Sequence, residues 1–310
     1  MSDEKEAKKD SDIINPDPYC PVRLTRINIR GKPTDKFTIE LQKPDCEEWV
    51  DVPGVSAVHS SNYRLVTNAQ VRDMAQEVFR QTGMQFERVP SWGQGHSRGL
   101  FWNGKHYLER WYTPDVRIDT PQGSQVMLGI EVRNSYDNAC KVGLAFFAMH
   151  CACSNQFYGR SLFGDPLTFS HIRESGDLTD DISDALDQLR GQAQSFGKIA
   201  PVITKLNNTS FGGMEEFLAL RNRMMDATGL DFRDKQMLDE MSGHGITKKV
   251  GIDIKGHYGA PDRYWALANA FTAITTHSVG GLRGHEQAAR AVDFLIDDAV
   301  KYGHEIKKAA

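Results

Sequence analysis

Hydrophobic and polar residues alternate over much of the N-terminal and central sequence, which is the pattern of strands with one buried face. The segments with this pattern are residues 22–30, 37–41 and 125–134, and a more continuously apolar strand is expected over residues 141–151. A turn is expected at residues 31–34. Asn103-Gly104 predicts a hairpin, because this pair readily takes the positive φ angles of a tight turn. The pattern predicts an antiparallel sheet, with the strand that contains Phe146 near its centre.

Apolar residues three and four positions apart predict helices elsewhere in the chain. The clearest stripe runs from Val71 to Phe79; Thr67 or Asn68 can cap this helix, and Gly83 can end it. Further helices are predicted to begin near Thr179, over residues 213–227, over residues 264–274, and between Gly284 and Gly303. Residues 242–261 are expected to form a long loop or a hairpin.

This order of elements, strands first and helices afterwards, predicts an α+β fold. An antiparallel β-sheet is expected in the N-terminal and central part, with packed helices in the C-terminal half. The predicted divisions are a disordered tail (1–18), a β-rich part with one early helix (19–175), a helical part packed on the sheet (176–303) and a second tail (304–310). Residues 19–303 are expected to form one continuous domain.

The composition is that of an ordinary globular protein and narrows the choice of function only a little. The 310 residues carry a net charge of −4, so overall charge does not favour nucleic-acid binding. No apolar run is long enough to span a membrane, and MSDEKEAKKD at the N-terminus lacks the apolar segment of a secretory signal. A cytoplasmic protein with no membrane partner is expected. Its five cysteines are expected to be reduced and mostly buried.

Several familiar catalytic and cofactor motifs are absent or incomplete. GLFWNGKH at residues 99–106 nearly matches a phosphate-binding loop, but His106 stands where a hydroxyl residue is required and the context is a hairpin. Neither G-x-S-x-G nor H-E-x-x-H occurs, and the zinc-deaminase pattern is missing. His150 with Cys151 and Cys153 is too small a set for structural zinc, so buried thiols are favoured. The sequence therefore predicts no cofactor, no metal and no catalytic residue.

The central sheet region interleaves cations with aromatic rings. Residues 86–173 contain nine Lys/Arg and seven Asp/Glu, a small positive excess. Single-strand binding requires rings on which bases stack and cations that neutralise phosphates. The residues predicted to contact a nucleic acid are Arg98, Trp102, Lys105, Arg110, Trp111, Arg133, Tyr136, Lys141 and Arg160. The alternative is that the rings belong to the core and the arginines are solvated.

Three ordered segments, SSNYRLVTNAQV, RNSYDNACKVGLAFFAMHCACSNQF and RYWALANAFTAITTH, resemble motifs of a phage/plasmid-like family, the domain of unknown function number 932. The resemblance covers about residues 55–300. This chain departs from the family pattern in its first 50 residues and at Ile274 and Thr275, where an acidic-aromatic pair is common in the family. The matching residues are Asn134, Ser135, Tyr136, Asp137, Cys153, Ser154, Asn155, Trp265, Asn269, Ala270, Thr272 and His277.

The resemblance implies a protein of phages, plasmids and their bacterial hosts. The order of elements is similar to that of the single-strand annealing superfamily (the RAD fifty-two-like and phage annealing proteins). That likeness implies a sheet with a basic groove, a homo-oligomer and no need for a nucleotide. The leading hypothesis is a DNA-metabolism accessory protein that binds single-stranded DNA and promotes annealing or recombination without nucleotide hydrolysis. It depends on an open side of the sheet at about residues 95–150.

Two other functions stay open. One is a metal-dependent hydrolase or nuclease, for which His150, Asp137, Asn155 and His277 would have to converge. The other is a non-enzymatic interaction protein of a mobile element. Structural roles are also open for the matching residues, because Asn134 and Asp137 are common turn residues and Asn269 and Thr272 could bond from their helix to the sheet.

Overall fold

The computed structural model describes residues 17–44, 47–52, 59–90, 99–121, 123–150, 156–171, 191, 195–229, 260, 262–275 and 281–305. The strands are β1 (Val22–Ile29), β2 (Lys32–Gln42), β3 (Trp49–Asp51), β4 (His59–Ser60), β5 (Glu87–Arg88), β6 (Leu100–Trp102), β7 (His106–Asp119), β8 (Gln125–Ser135), β9 (Val142–His150), β10 (Gln156–Phe157), β11 (Leu167–Phe169), β12 (Thr209–Ser210) and β13 (His304–Glu305). The helices are α1 (Asn68–Thr82), α2 (Arg160–Phe163), α3 (Ile199–Asn208), α4 (Met214–Thr228), α5 (Tyr264–Ile274) and α6 (Gly281–Lys301). The predicted α+β class is confirmed.

A small N-terminal sheet has the order β1-β2-β3, with β4 also paired to β2. The β1–β2 hairpin turns at Arg30 and Gly31, which both have positive φ angles (52° and 78°). A two-residue turn with this backbone matches the natural twist of paired strands. The turn expected at residues 31–34 is therefore misplaced, since Lys32 and Pro33 already belong to β2. The buried face of this sheet contributes Ile39 and Leu41 to a minor core.

The central sheet is antiparallel, with the order β10-β9-β8-β7-β5, β11 added to β9 and β6 added to β7. Its register aligns Trp111 with Ile130 and Ile130 with Phe146. The predicted hairpin at Asn103-Gly104 is confirmed, but residues 103–106 separate its two paired segments and, of the pair, only Gly104 has a positive φ angle (88°). Both faces of β9 are buried, as its continuous apolar run predicts.

Helix α1 packs on one face of the central sheet. Its start is fixed by a capping box, in which the Thr67 hydroxyl accepts from the Gln70 N–H while the Gln70 side chain accepts from the Thr67 N–H. Gly83 ends the helix with a left-handed φ of 69°. The predicted stripe is confirmed, because Val71 and Val78 lie in the main core beside the apolar face of β8.

The C-terminal helices share that main core with the sheet. The cluster joins Ile130 of β8 to Phe217 of α4, Phe271 of α5 and Leu295 of α6. Helix α6 also crosses the second face of the central sheet, where Ala288 packs with Phe147 and Met149. Gly129 allows this arrangement, since a Cβ there would lie 2.3 Å from the Phe147 ring. The sheet is therefore covered on both sides over part of its area.

Some predicted elements differ in position or fall outside the described residues. The last helix begins at Gly281 rather than after Gly284, and the predicted tail at 304–310 begins as strand β13 paired with β12. The helix predicted near Thr179, the loop or hairpin at 242–259 and the tail at 1–16 lie outside the described residues. Within the described part, no helix combines the length and apolarity that a membrane crossing demands.

Candidate nucleic-acid interface

Arg110, a cation predicted to meet phosphates, is buried in the molecule with 5% of its surface exposed. Its Nε donates to Glu131 Oε2 at 2.6 Å and to the Tyr158 hydroxyl at 2.9 Å. Burial raises the pKa of Tyr158 well above its ordinary value, so the hydroxyl stays protonated and donates to Glu131 at 2.6 Å. The prediction of a phosphate contact at Arg110 is wrong, because its charge is already neutralised inside the protein.

Two of the rings predicted to stack on bases belong to the core. Trp111 is 7% exposed and meets Phe79 of α1 edge to face. Tyr136 is fully buried, and its hydroxyl accepts from the Asn68 N–H at 3.2 Å. Trp102 is partly exposed and packs edge-on against Tyr136. Stacking on Trp111 or Tyr136 is therefore ruled out in this fold, and the open platform expected from the sequence does not form there.

The remaining predicted cations are scattered. Lys105 lies 3.4 Å from Asp137, and Lys141 is exposed at the end of the β8–β9 hairpin. Arg133 lines a cleft beside α6. Arg98 lies outside the described residues, as does the side chain of Arg160 at the start of α2. These cations do not form one continuous surface with the buried rings.

The Asn-Ser-Tyr-Asp segment has structural contacts. Asn134 donates to the Val66 carbonyl and to Asn68 Oδ1, both at 2.9 Å, which ties β8 to the start of α1. Ser135 donates across its turn to the Cys140 carbonyl. Although burial opposes ionisation, the Ala139 N–H and His106 hold the pKa of Asp137 below its usual value. These contacts fix the hairpin geometry.

The other residues that match the family pattern lie in α5 or outside the described residues. Trp265, Asn269 and Thr272 are fully or almost fully buried. The Thr272 hydroxyl donates to the Ala268 carbonyl of its own helix and not to the sheet. Cys153, Ser154, Asn155 and His277 lie outside the described residues.

The residues suggested for a metal-dependent enzyme do not all converge. His150 is buried at the end of β9 paired with Val126, whereas Asp137 follows β8 at the opposite end of the same strand pair. His150 Nε2 instead lies 2.7 Å from the Ser124 hydroxyl in the β7–β8 turn. No group of three or more histidine, cysteine or acidic side chains in the described part is placed to hold a metal. Cys20 is buried, which raises the pKa of its thiol to about 11.

The β1–β2 hairpin is an exposed basic feature of the described part, and the sequence-based prediction did not include it. Residues 22–43 contain six Lys/Arg and two Asp/Glu, whereas the whole chain has 37 Lys/Arg and 41 Asp/Glu. We name residues 26–35 the basic arm. Strands β3 and β4 pair with β2 only from Lys36 onward, so the basic arm extends past them.

The cations of the basic arm are available to a ligand. Arg26, Arg30 and Lys32 are exposed and form no salt bridge with any residue that the structure describes. Asp35, the one acid of the arm, lies 3.7 Å from Lys36. Ile29 beside the turn is 61% exposed.

Aromatic rings lie next to cations in this N-terminal sheet. The Arg23 guanidinium lies 4.2 Å from the centre of the Trp49 ring, and Arg26 lies 5.4 Å from that of Phe37. Both rings are partly exposed. The combination of rings and cations expected at residues 95–150 therefore occurs in β1–β3. A local count of charges over residues 22–43 would have found it.

No protein-family model matches this sequence, and neither a curated protein nor a solved structure matches it. The resemblance to the phage/plasmid-like family number 932 stays a prediction.

Proposed function

We propose that this protein binds single-stranded DNA through the basic arm and promotes annealing or recombination without nucleotide hydrolysis. The observation that supports the proposal is the group of three exposed cations, Arg26, Arg30 and Lys32, which form no salt bridge with the described residues, in a chain with a net negative charge. A strand laid along the arm would bring its phosphates to these cations. The partly exposed Phe37 and Trp49 rings lie nearby for its bases.

The proposal retains the expected cellular context and assembly. A phage or plasmid protein that acts on DNA works in the cytoplasm of the bacterial host, and a homo-oligomer would place several basic arms along one strand. Multiple arms would raise the affinity for long oligonucleotides above that for short ones, because each added contact becomes intramolecular. The metal-dependent hydrolase is less favoured, since His150 and Asp137 lie at opposite ends of the β8–β9 pair.

The test removes the charge of the basic arm. A triple variant, Arg26→Gln, Arg30→Gln and Lys32→Gln, should bind a single-stranded oligonucleotide at least ~10-fold more weakly at about 50 mM salt. A matched control, Arg117→Gln, Lys198→Gln and Lys301→Gln, removes three exposed cations elsewhere and should bind as the wild type does. Fluorescence anisotropy measures both affinities, and pairing of labelled complementary strands measures annealing.

Salt dependence supplies an independent reading of the same contacts. Neutralised phosphates release counterions, with a slope of about −0.7 in log affinity against log salt for each single-strand contact. Three contacts predict that the triple variant flattens the slope by about 2. Equal affinities and equal slopes for the wild type and the arm variant would rule out this interface.

A further inference from the structure

A cleft of about 570 Å³ lies between the central sheet and α6, on the face of the sheet opposite α1. Arg133 and Ala145 line it from β8 and β9, and Glu286, Arg290 and Asp293 line it from α6. Its volume is within the range of small-molecule sites, roughly 300–1,000 Å³. None of these side chains belongs to the basic arm, so the proposed DNA contact there gives them no role.

Two arginines line the cleft together with three carboxylates, those of Asp165, Glu286 and Asp293. Arg133 Nη1 is buried and has no hydrogen-bond partner among the described residues. Neither Arg133 nor Arg290 forms a salt bridge with a described residue. Buried donors almost always find an acceptor, so this N–H of Arg133 is a donor that a ligand in the cleft can satisfy. A phosphate oxygen fits a guanidinium well, because the two groups bond in a charge-assisted geometry.

The lining of the cleft also has apolar and backbone parts. Phe146, Tyr158 and Phe163 contribute to it but are only 3–4% exposed, so they leave little ring surface for stacking. The edge of β9 is also open there, since β11 pairs with it up to Leu144 and β10 pairs with it only from Ala148. Backbone N–H and C=O groups at residues 145–147 therefore have no strand partner on this edge in the described part. Such groups can hydrogen-bond to the edge of a base.

Acidic side chains complete the cleft on the α6 side. Glu286 and Asp293 can accept hydrogen bonds from amino or hydroxyl groups. The backbone at Gly159 lies very close to Asp293, since a Cβ at this glycine would be 2.8 Å from Asp293 Oδ1. A larger residue at position 159 would displace that carboxylate. The cleft thus offers cations, the backbone groups of a strand edge and acceptors together.

We propose that this cleft binds one nucleotide, with its phosphate at Arg133 and Arg290 and its base at the open edge of β9. The nucleotide could be one residue of the bound strand, which rests on the proposed function, or a free mononucleotide, which does not. The shared chemistry is a base that carries a phosphate. A nucleoside, which lacks the phosphate, should bind at least ~10-fold more weakly than the nucleotide, because charge-assisted hydrogen bonds are lost.

The test uses the full chain with dAMP and dTMP in isothermal titration calorimetry and with a single-stranded oligonucleotide in fluorescence anisotropy. Arg290→Gln removes an exposed cation, so folding is not at risk, and Arg133→Gln tests the buried donor. Each should weaken binding of the nucleotide by about 10-fold or more. Arg117→Gln, an exposed arginine outside the cleft, is the matched control and should leave binding unchanged.

The outcomes distinguish a residue of the strand from a free mononucleotide, and the cleft from the basic arm. Binding of dAMP or dTMP that both cleft variants weaken supports a free mononucleotide. Weaker oligonucleotide binding in both cleft variants, without measurable binding of dAMP or dTMP, supports a residue of the strand. If the triple variant of the basic arm loses the oligonucleotide yet retains dAMP, the cleft acts independently. Full affinity for both ligands in Arg290→Gln and Arg133→Gln, or no binding of either ligand to the wild type, would overturn the inference.

Discussion

At the residue scale, the pair of Arg110 and Glu131 shows how burial changes the role of a charged side chain. The arginine Nε and a glutamate oxygen lie 2.6 Å apart, with the two side chains 5% and 1% exposed. Tyr158 bonds both partners, so the three side chains form one hydrogen-bonded unit. The attraction within a buried ion pair adds little net stability, because both charges lose their hydration. Removal of one partner costs more, because the other charge stays buried without a partner.

Arg110→Met should therefore destabilise the protein by roughly 3–5 kcal/mol, because Glu131 would keep a buried charge without its partner. The double variant Arg110→Met with Glu131→Leu should recover most of that loss. Urea unfolding followed by circular dichroism measures both free energies. A double variant that is less stable than Arg110→Met alone would show that the pair stabilises the fold by its own attraction.

At the element scale, local signals predicted helices and hairpins well where they are complete in the sequence. Helix α1 has its cap, its stripe and its final glycine within 17 residues, and all three are confirmed. Helix α3 was missed, because its Ile, Val and Pro residues do not favour a helix and only packing on the core stabilises it. The basic arm was missed for a different reason, since charge was counted over residues 86–173 and not over β1 and β2.

Thr67→Ala should remove the cap of α1 and lower the free energy of unfolding by about 1 kcal/mol. The cost arises because the Gln70 N–H would lose its acceptor at a helix end where no carbonyl can replace it. Thr67→Ser keeps the hydroxyl and should stay close to the wild type. Thermal or urea unfolding distinguishes the two, and equal losses in both variants would show that the Thr67 methyl group, rather than the cap, is responsible.

At the scale of the whole molecule, the sequence could not show what covers each face of the sheet. Alternation in β8 places Ile130 and Glu131 on opposite faces of the sheet, but it does not reveal that α6 covers the face with Glu131. That contact joins Ala288 to Phe147 and Met149, about 140 positions away in the sequence, so it depends on the packing of the complete chain. The rings expected on an open platform are buried as well, Trp111 against α1 and Tyr136 in the minor core with Ile39 and Leu41.

The junction between the two sheets should make stability depend on pH. His59 of β4 and His171 after β11 both pack against the Tyr63 ring, at 3.9 and 5.3 Å between ring centres. Burial lowers the pKa of both histidines from the ordinary value of 6.5, so the folded protein holds them neutral. Unfolding then takes up protons below that value, and the free energy of unfolding should fall as the pH drops below 6.5.

The double variant His59→Gln with His171→Gln should be less stable than the wild type at about pH 7.5, yet lose less stability between about pH 7.5 and 5.5. The reason is that glutamine takes up no proton when the chain unfolds. Urea unfolding at constant ionic strength measures the two slopes. If the double variant keeps the full slope of the wild type, other groups must take up the protons, and the contact between the two sheets does not control the acid sensitivity of the fold.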